Sequence, residues 1–258
     1  MEHFKSPFGP EQLGRARARE NRRFFEAVLG RAKNHRFFRH PFLSLVDDAE
    51  VHVEFVSFLL TSFYQIVAPF TGLLCSLGGR APCLRTRFAL MDNIFEEMGS
   101  GQLEAAHPQL YLKMLASAGV AEEAAEAMPT LPAIQRINEH LRAVVEKRPF
   151  SVGCALLASA ESTIPPSFSV FSCLAQRAFP EVDMAFFDRH GPRDLGHAND
   201  ASVLFSVSGD RADFAAVEAA VLLDLDYRSD LFDDWMSRRS SAAWPAVVEK
   251  RSGVPRPE

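Results

Sequence analysis

Three groups of residues in this 258-residue chain have the types and spacing of metal ligands. The segment His190-Gly-Pro-Arg-Asp194-Leu-Gly-His197 puts two imidazoles and a carboxylate at i, i+4 and i+7, which share one helical face. That mixture of nitrogen and oxygen donors suits iron or manganese better than structural zinc, although the same spacing also describes a solvated polar face. Glu161 lies in the apolar run ALLASAESTIPP, with no Lys or Arg within a helical turn or two. An ionised carboxylate there costs on the order of several kcal/mol unless it is paired. Its partner is a metal ion, a buried arginine or a proton. Glu97 and His107 flank Gly99-Ser100-Gly101, where two glycines can turn both side chains toward one centre. Taken alone, a Glu at a helix end and a His before Pro108 are common.

The elements that must position these groups read as helices punctuated by Gly and Pro. The pattern predicts an amphipathic helix over 11–34, then a broken Phe-rich segment from His35 to Val46. A long apolar helix over about 49–77 is ended by Gly78, Gly79 and Pro82, which start the next over about 82–98. Another begins near Pro108, where Pro suits a first turn. Helices are further predicted over about 121–128, 131–147, 150–176, 179–190, 192–207 and 210–238, the last opened by Ser208-Gly209-Asp210. Gly191, Pro192 and Gly196 are poor helix residues. His190 therefore ends one helix with Pro192 opening the next, or the segment is helical only when a metal holds it. No alternating β-branched window supports a sheet. The expected class is all-α, one domain over 1–258, with 1–10 and 251–258 loose.

The net charge of −5 gives no electrostatic reason to expect nucleic acid. Arg15, Arg17, Arg19, Arg22 and Arg23 alternate with glutamates and read as a solvated helix face. The 22 Phe against 3 Tyr and 2 Trp point to a deep, dry interior. Cys75, Cys83, Cys154 and Cys173 show no metal spacing and read as buried free thiols in a reducing cytoplasm. The first thirty residues hold no apolar signal segment. Phe55 to Gly79 passes without a charge and is long enough to span a bilayer. Its Ser57, Thr61, Ser62, Tyr64, Gln65 and Pro69 favour instead a helix wrapped by other helices.

Three His and three carboxylates from three or four helices match the composition of a di-iron carboxylate site in a helical bundle. Glu97 with His107 ten residues on, Glu161 on a later apolar helix, and His190-x3-Asp194-x2-His197 together resemble the haem-oxygenase-like di-iron oxidase and oxygenase superfamily. Phe63-Tyr64, the Glu-Glu-Met-Gly-Ser-Gly turn, His107-Pro108 and Phe186-Phe187 fit as well, so the resemblance spans about residues 50–205. It implies an up-and-down domain of about seven core helices, two Fe(II) per chain, and O2 as co-substrate. In this reading His107, His190 and His197 are neutral donors, and Glu97, Glu161 and Asp194 balance the metal charge. A small-molecule substrate is expected, in specialised-metabolite biosynthesis, with a homodimer allowed by the fold type. N-oxygenating relatives carry a further carboxylate on the first core helix, and no Asp or Glu occurs between Phe55 and Met91. Oxidative C–C cleavage or desaturation of an amino-acid- or carboxylate-derived substrate is therefore favoured over N-oxygenation. Arg189, Arg193 and Lys147 are the cations available to a charged substrate. A haem-binding relative using a lone His, and a non-catalytic helical binding protein, are the rival readings.

Overall fold

A computed structural model describes residues 14–48, 50, 52–190 and 192–239, with the backbone alone for 192–195. The expectations for 1–10 and 251–258 fall outside these residues. Among the described residues every regular element is helical. The α-helices are α1 (Arg15–Ala32), α2 (Val53–Gly79), α3 (Leu84–Glu97), α4 (His107–Ser117), α5 (Glu122–Ala127), α6 (Pro132–Lys147), α7 (Phe150–Ala178), α8 (Ala185–Arg189), α9 (Pro192–Ser208) and α10 (Phe214–Arg238).

The Phe-rich segment after α1 folds as two 3-10 helices, Arg36–Arg39 and Pro41–Asp47. Each is capped by the preceding histidine, whose ring Nδ1 accepts the Phe37 and Phe42 amides. The other nitrogens of His35 and His40 hold Asp226 and Asp233 of α10. Phe37 and Phe42 thereby enter the core beside Phe232 and Trp235.

At the centre lies α2, against α3, α4, α6 and α7. From Phe55 to Ile66 its residues are buried apart from half-buried Gln65. By length and composition α2 could cross a membrane, yet here other helices cover its first half. Neighbouring helices supply partners for some of its polar groups. The Tyr111 hydroxyl of α4 donates to the Leu60 carbonyl (2.8 Å), and Trp235 Nε1 of α10 donates to Ser62 Oγ (3.0 Å). Pro69 has no N–H for the Gln65 carbonyl four residues earlier. Asn138 of α6 replaces it, donating through Nδ2 at 2.8 Å. A backbone acceptor that proline would orphan is thus satisfied from the next helix.

Two expectations need correction. The helix expected over 179–190 is only Ala185–Arg189, because Pro180 interrupts it and the Asp183 carboxylate accepts the Ala185 amide at 2.9 Å, setting a late start. The cysteines are free thiols among the described residues, but only Cys154 is buried; Cys75 is exposed, and Cys83 and Cys173 are half-buried. Burial pushes the Cys154 thiol well above the ordinary range. A further finding is that α3 is apolar on its outer side too, exposing Leu84, Phe88, Met91, Phe95 and Met98.

Candidate metal centre

Glu97 is the last residue of α3 and is 3% exposed; His107, the first of α4, is 4% exposed. The chain between them reverses through three consecutive positive-φ residues, Gly99 (79°), Ser100 (54°) and Gly101 (89°). The Ser100 amide bonds to the Phe95 carbonyl and the Gly99 amide to that of Glu96, which is the Schellman ending with Gly99 in the left-handed position. A Cβ at Gly99 would lie 2.2 Å from the Gln102 carbonyl oxygen and 2.5 Å from the Ala106 nitrogen. Glycine is therefore obligatory there. The tightness of this turn brings Oε2 of Glu97 to 2.7 Å from Nδ1 of His107.

His190 ends the short α8 with an extended backbone (ψ 166°), and α9 begins at Pro192. Its imidazole packs against that of His107, with ring centroids 4.5 Å apart. One ligand atom each from Glu97, His107 and His190 lies within 4.8 Å of the other two. His197, on α9, joins the group from the side, with Nδ1 at 3.7 Å from Glu97 Oε1 and Nε2 at 3.0 Å from Glu96 Oε2. Glu161 is 1% exposed on α7 and lines the same cavity as Glu97, His107 and His190. Asp194 lies on the helical part of α9, and its side chain is outside the described residues.

The hydrogen bonds decide which nitrogens can bind a metal. His190 Nδ1 contacts the Phe186 carbonyl at 2.7 Å. A carbonyl only accepts, so Nδ1 carries the proton and Nε2 presents its lone pair. His197 gives its Nε2 proton to Glu96, which leaves Nδ1, buried and without a hydrogen bond, as the donor atom. His107 is more telling. Although Nδ1 is close to Glu97, it makes no well-aligned hydrogen bond with it, and among the described residues neither ring nitrogen of this buried imidazole has a hydrogen-bond partner. Orphaned buried nitrogens are rare. A cation among these three rings and Glu97 accounts for them, and the donor set suits iron.

The electrostatics agree. Burial raises the Glu97 carboxyl, but the close His107 and the positive charge that His107, His190 and His197 carry when protonated outweigh it and hold Glu97 below the usual range. Burial, reinforced by His107, lowers His190 to about 4, against a weaker opposing effect of its bond to Phe186. His190 is thus the neutral form that ligates metals near pH 7.

Two features escaped the sequence. Glu96 had no role assigned; adjacent residues on a helix point about 100° apart, so Glu97 faces the centre while Glu96 reaches His197. The second is Arg228 of α10, which lines the cavity and bonds through Nε to buried Asp224 at 2.7 Å. Of the cations named for a charged substrate, Arg189 and Lys147 are not in the cavity wall. Arg189 donates to the Ala105 carbonyl, Lys147 is exposed, and the Arg193 side chain is outside the described residues. The cavity is otherwise mainly apolar, with Phe63, Ile66, Phe70, Ile164, Phe168 and Phe186 among its walls.

Comparison with known proteins places this arrangement. A family described as iron-containing redox enzyme matches residues 57–226. Among solved structures, the chain is similar to a CADD-like protein of unknown function from Nostoc punctiforme, at 13% identity and TM-score 0.69, over 84% of this chain and 99% of that one. It is similar to a TenA homolog from Pseudomonas syringae pv. tomato, at 16% identity and TM-score 0.64, over 86% and 93%. A domain of unknown function with a heme oxygenase-like fold from Shewanella denitrificans aligns at 19% identity and TM-score 0.63, over 87% and 94%. A search of curated proteins finds no match. With a match spanning both the Glu97–His107 turn and the His190–His197 segment, on a haem-oxygenase-like helical fold, the chain belongs to the family of iron-containing redox enzymes.

Proposed function

We propose that this chain is a non-haem di-iron oxidase that uses O2 to cleave a C–C bond of, or desaturate, a small carboxylate-derived molecule. The observation that carries the reading is the convergence of Glu97, His107 and His190 within 4.8 Å, with a buried His107 whose nitrogens lack hydrogen bonds, beside an apolar cavity. Glu97, His107 and His190 would hold iron, with His197, Glu161 and Asp194 completing the set for two ions. Bound iron supplies O2 activation and the one-electron chemistry that side chains lack.

The chain's own contribution is positional. The Phe186 carbonyl fixes the tautomer of His190, and Glu96 fixes that of His197. Glu97 stays ionised and offsets positive charge. Phe63, Phe70, Phe168 and Phe186 exclude water from the reacting end of the cavity. N-oxygenation is the second reading. It is disfavoured because α2 contributes Phe63, Ile66, Val67, Phe70 and Thr71 to the cavity and no carboxylate, and Glu54 is exposed at the start of that helix.

The test is anaerobic loading with Fe(II) followed by metal analysis. About two irons per chain, reduced by His107→Ala and by Glu97→Ala, is the expected result. A folded protein that takes up no iron overturns the proposal. For the reaction, O2 consumption stimulated by an alkyl carboxylate, with a chain-shortened or unsaturated product, is expected; hydroxylamine products from amines would favour N-oxygenation.

A further inference from the structure

The mainly apolar cavity contains one cation that no part of the metal centre uses. Arg228 is 15% exposed in its side chain and is, among the described residues, the only Lys or Arg lining the cavity. It also lines a second apolar space, bounded by Phe37, Leu231 and Trp235, so the side chain borders both. One helical turn earlier Asp224 is fully buried and accepts from Arg228 Nε at 2.7 Å. That single bond fixes the plane of the guanidinium and leaves Nη1 and Nη2, for which the described residues provide no hydrogen-bond partner. The free edge has the geometry of a two-pronged carboxylate receptor.

We propose that Arg228, oriented by Asp224, is the anchor for the carboxylate of an otherwise apolar substrate whose body lies toward Glu97, His107 and His190. The proposal rests on the di-iron reading in one respect, the charge balance. Two ferrous ions would bring four positive charges, the proposed ligands Glu97, Glu161 and Asp194 would offset three, the Arg228–Asp224 pair is neutral, and Glu96 beside His197 is 40% exposed and screened by solvent. One positive charge remains in a space of low polarity, and a single carboxylate cancels it; a dianion would leave the site uncompensated. The lining also disfavours a zwitterionic amino acid. Among the described residues its only carboxylates are the proposed ligands Glu97 and Glu161, so an α-ammonium group would find no other counter-charge from them there. The substrate class is therefore an alkyl or aryl monocarboxylate, with Arg228 determining specificity and Asp224 positioning it.

The test compares octanoate, octanol, octylamine and octyl phosphate by anaerobic calorimetric titration of iron-loaded protein. Octanoate is expected to bind about 10- to 100-fold more tightly than octanol, the range of a charged hydrogen-bonded pair, and more tightly than the other two. Arg228→Gln alone strands the buried Asp224 charge and risks misfolding, so the deciding variant is the neutral pair Asp224→Asn with Arg228→Gln. This double variant should lose the octanoate preference while keeping octanol affinity and iron content; Arg228→Lys should keep part of the preference. A wild-type protein that binds two irons and shows no preference, or a folded double variant that retains it, overturns the assignment of Arg228 and leaves the di-iron reading standing. A wild-type protein without iron overturns the di-iron reading, and the same titrations on the metal-free protein then decide for or against Arg228.

Discussion

The Gly99-Ser100-Gly101 turn supplies a sharp test of how the centre is built. Gly99 and Gly101 both have positive φ (79° and 89°), so alanine at either carries the left-handed penalty of about 1–2 kcal/mol. Their surroundings differ. A Cβ at Gly101 would meet only the Phe95 ring, at 3.8 Å, an ordinary contact. At Gly99 it would fall 2.2–2.6 Å from backbone atoms of Gln102, Ala105 and Ala106, which cannot move without opening the turn. Gly101→Ala should therefore cost about 1–2 kcal/mol, and Gly99→Ala above about 4 kcal/mol. For a domain of this size, about 2–4 °C per kcal/mol, the melting temperature should fall by roughly 2–8 °C in the first case and by about 10 °C or more in the second. Far-UV circular dichroism of the metal-free proteins reads this directly. Iron binding should separate the two as well, since opening the turn parts Glu97 from His107, while Gly101→Ala leaves them together. Equal melting shifts for the two variants, or full iron binding by Gly99→Ala, would refute the reasoning.

Three further outcomes are expected. Asn138→Leu should cost about 1–3 kcal/mol, because the Gln65 carbonyl loses its only donor across Pro69; adding Pro69→Ala, which restores an N–H, should recover much of it, as chemical denaturation would show. Glu96→Ala should weaken Fe(II) binding by about 10- to 100-fold without changing the helical spectrum, since it frees His197 to turn; unchanged affinity would dismiss Glu96 as a positioning residue. The metal-free protein should lose stability as pH falls from 6.5 to about 4. His190 is held neutral when folded while the unfolded chain takes up its proton at 6.5, so the contribution is complete above 6.5 and spent below about 4. The gap corresponds to about 3 kcal/mol at ~1.4 kcal/mol per pH unit, and a His190→Phe variant should show a correspondingly flatter profile in denaturant titrations.

Much of the scaffold could be read from Gly and Pro alone. Pro132 and Pro192 open helices, Gly78-Gly79 and Gly99 close them, and α6, α7 and α9 lie within two residues of their predicted spans. What failed was local chemistry that competes with helix formation, as where Asp183 delays α8. The predicted span of α7 ran through Pro165 and Pro166, and the helix does continue through both, because packing on α9, α10 and α2 outweighs the missing amides. Among the site residues, Glu161 carried a signal because a carboxylate in an apolar helix needs a reason, His190 and His197 through their spacing, and Glu97 with His107 only through the glycine turn between them. Arg228 carried none: at i+4 from Asp224 it has the spacing of an ordinary surface pair, and only the burial of Asp224 shows that this stretch of α10 faces inward. Glu96 was hidden by its neighbour, since two adjacent glutamates look interchangeable until the helix sets their directions.

The three bonds into α2 from Tyr111, Asn138 and Trp235 have a consequence for precision. Grease has no preferred depth: a rod of Phe, Leu and Val can slide or rotate among similar rods with little change in buried area. Directional contacts arriving from three separate neighbours, at Leu60, Ser62 and Gln65, act as index marks that permit one setting only. Because Phe63, Ile66 and Phe70 ride on the same rod, those marks also set where the cavity wall stands relative to His107 and Glu161, and hence which atom of a bound molecule is presented for reaction.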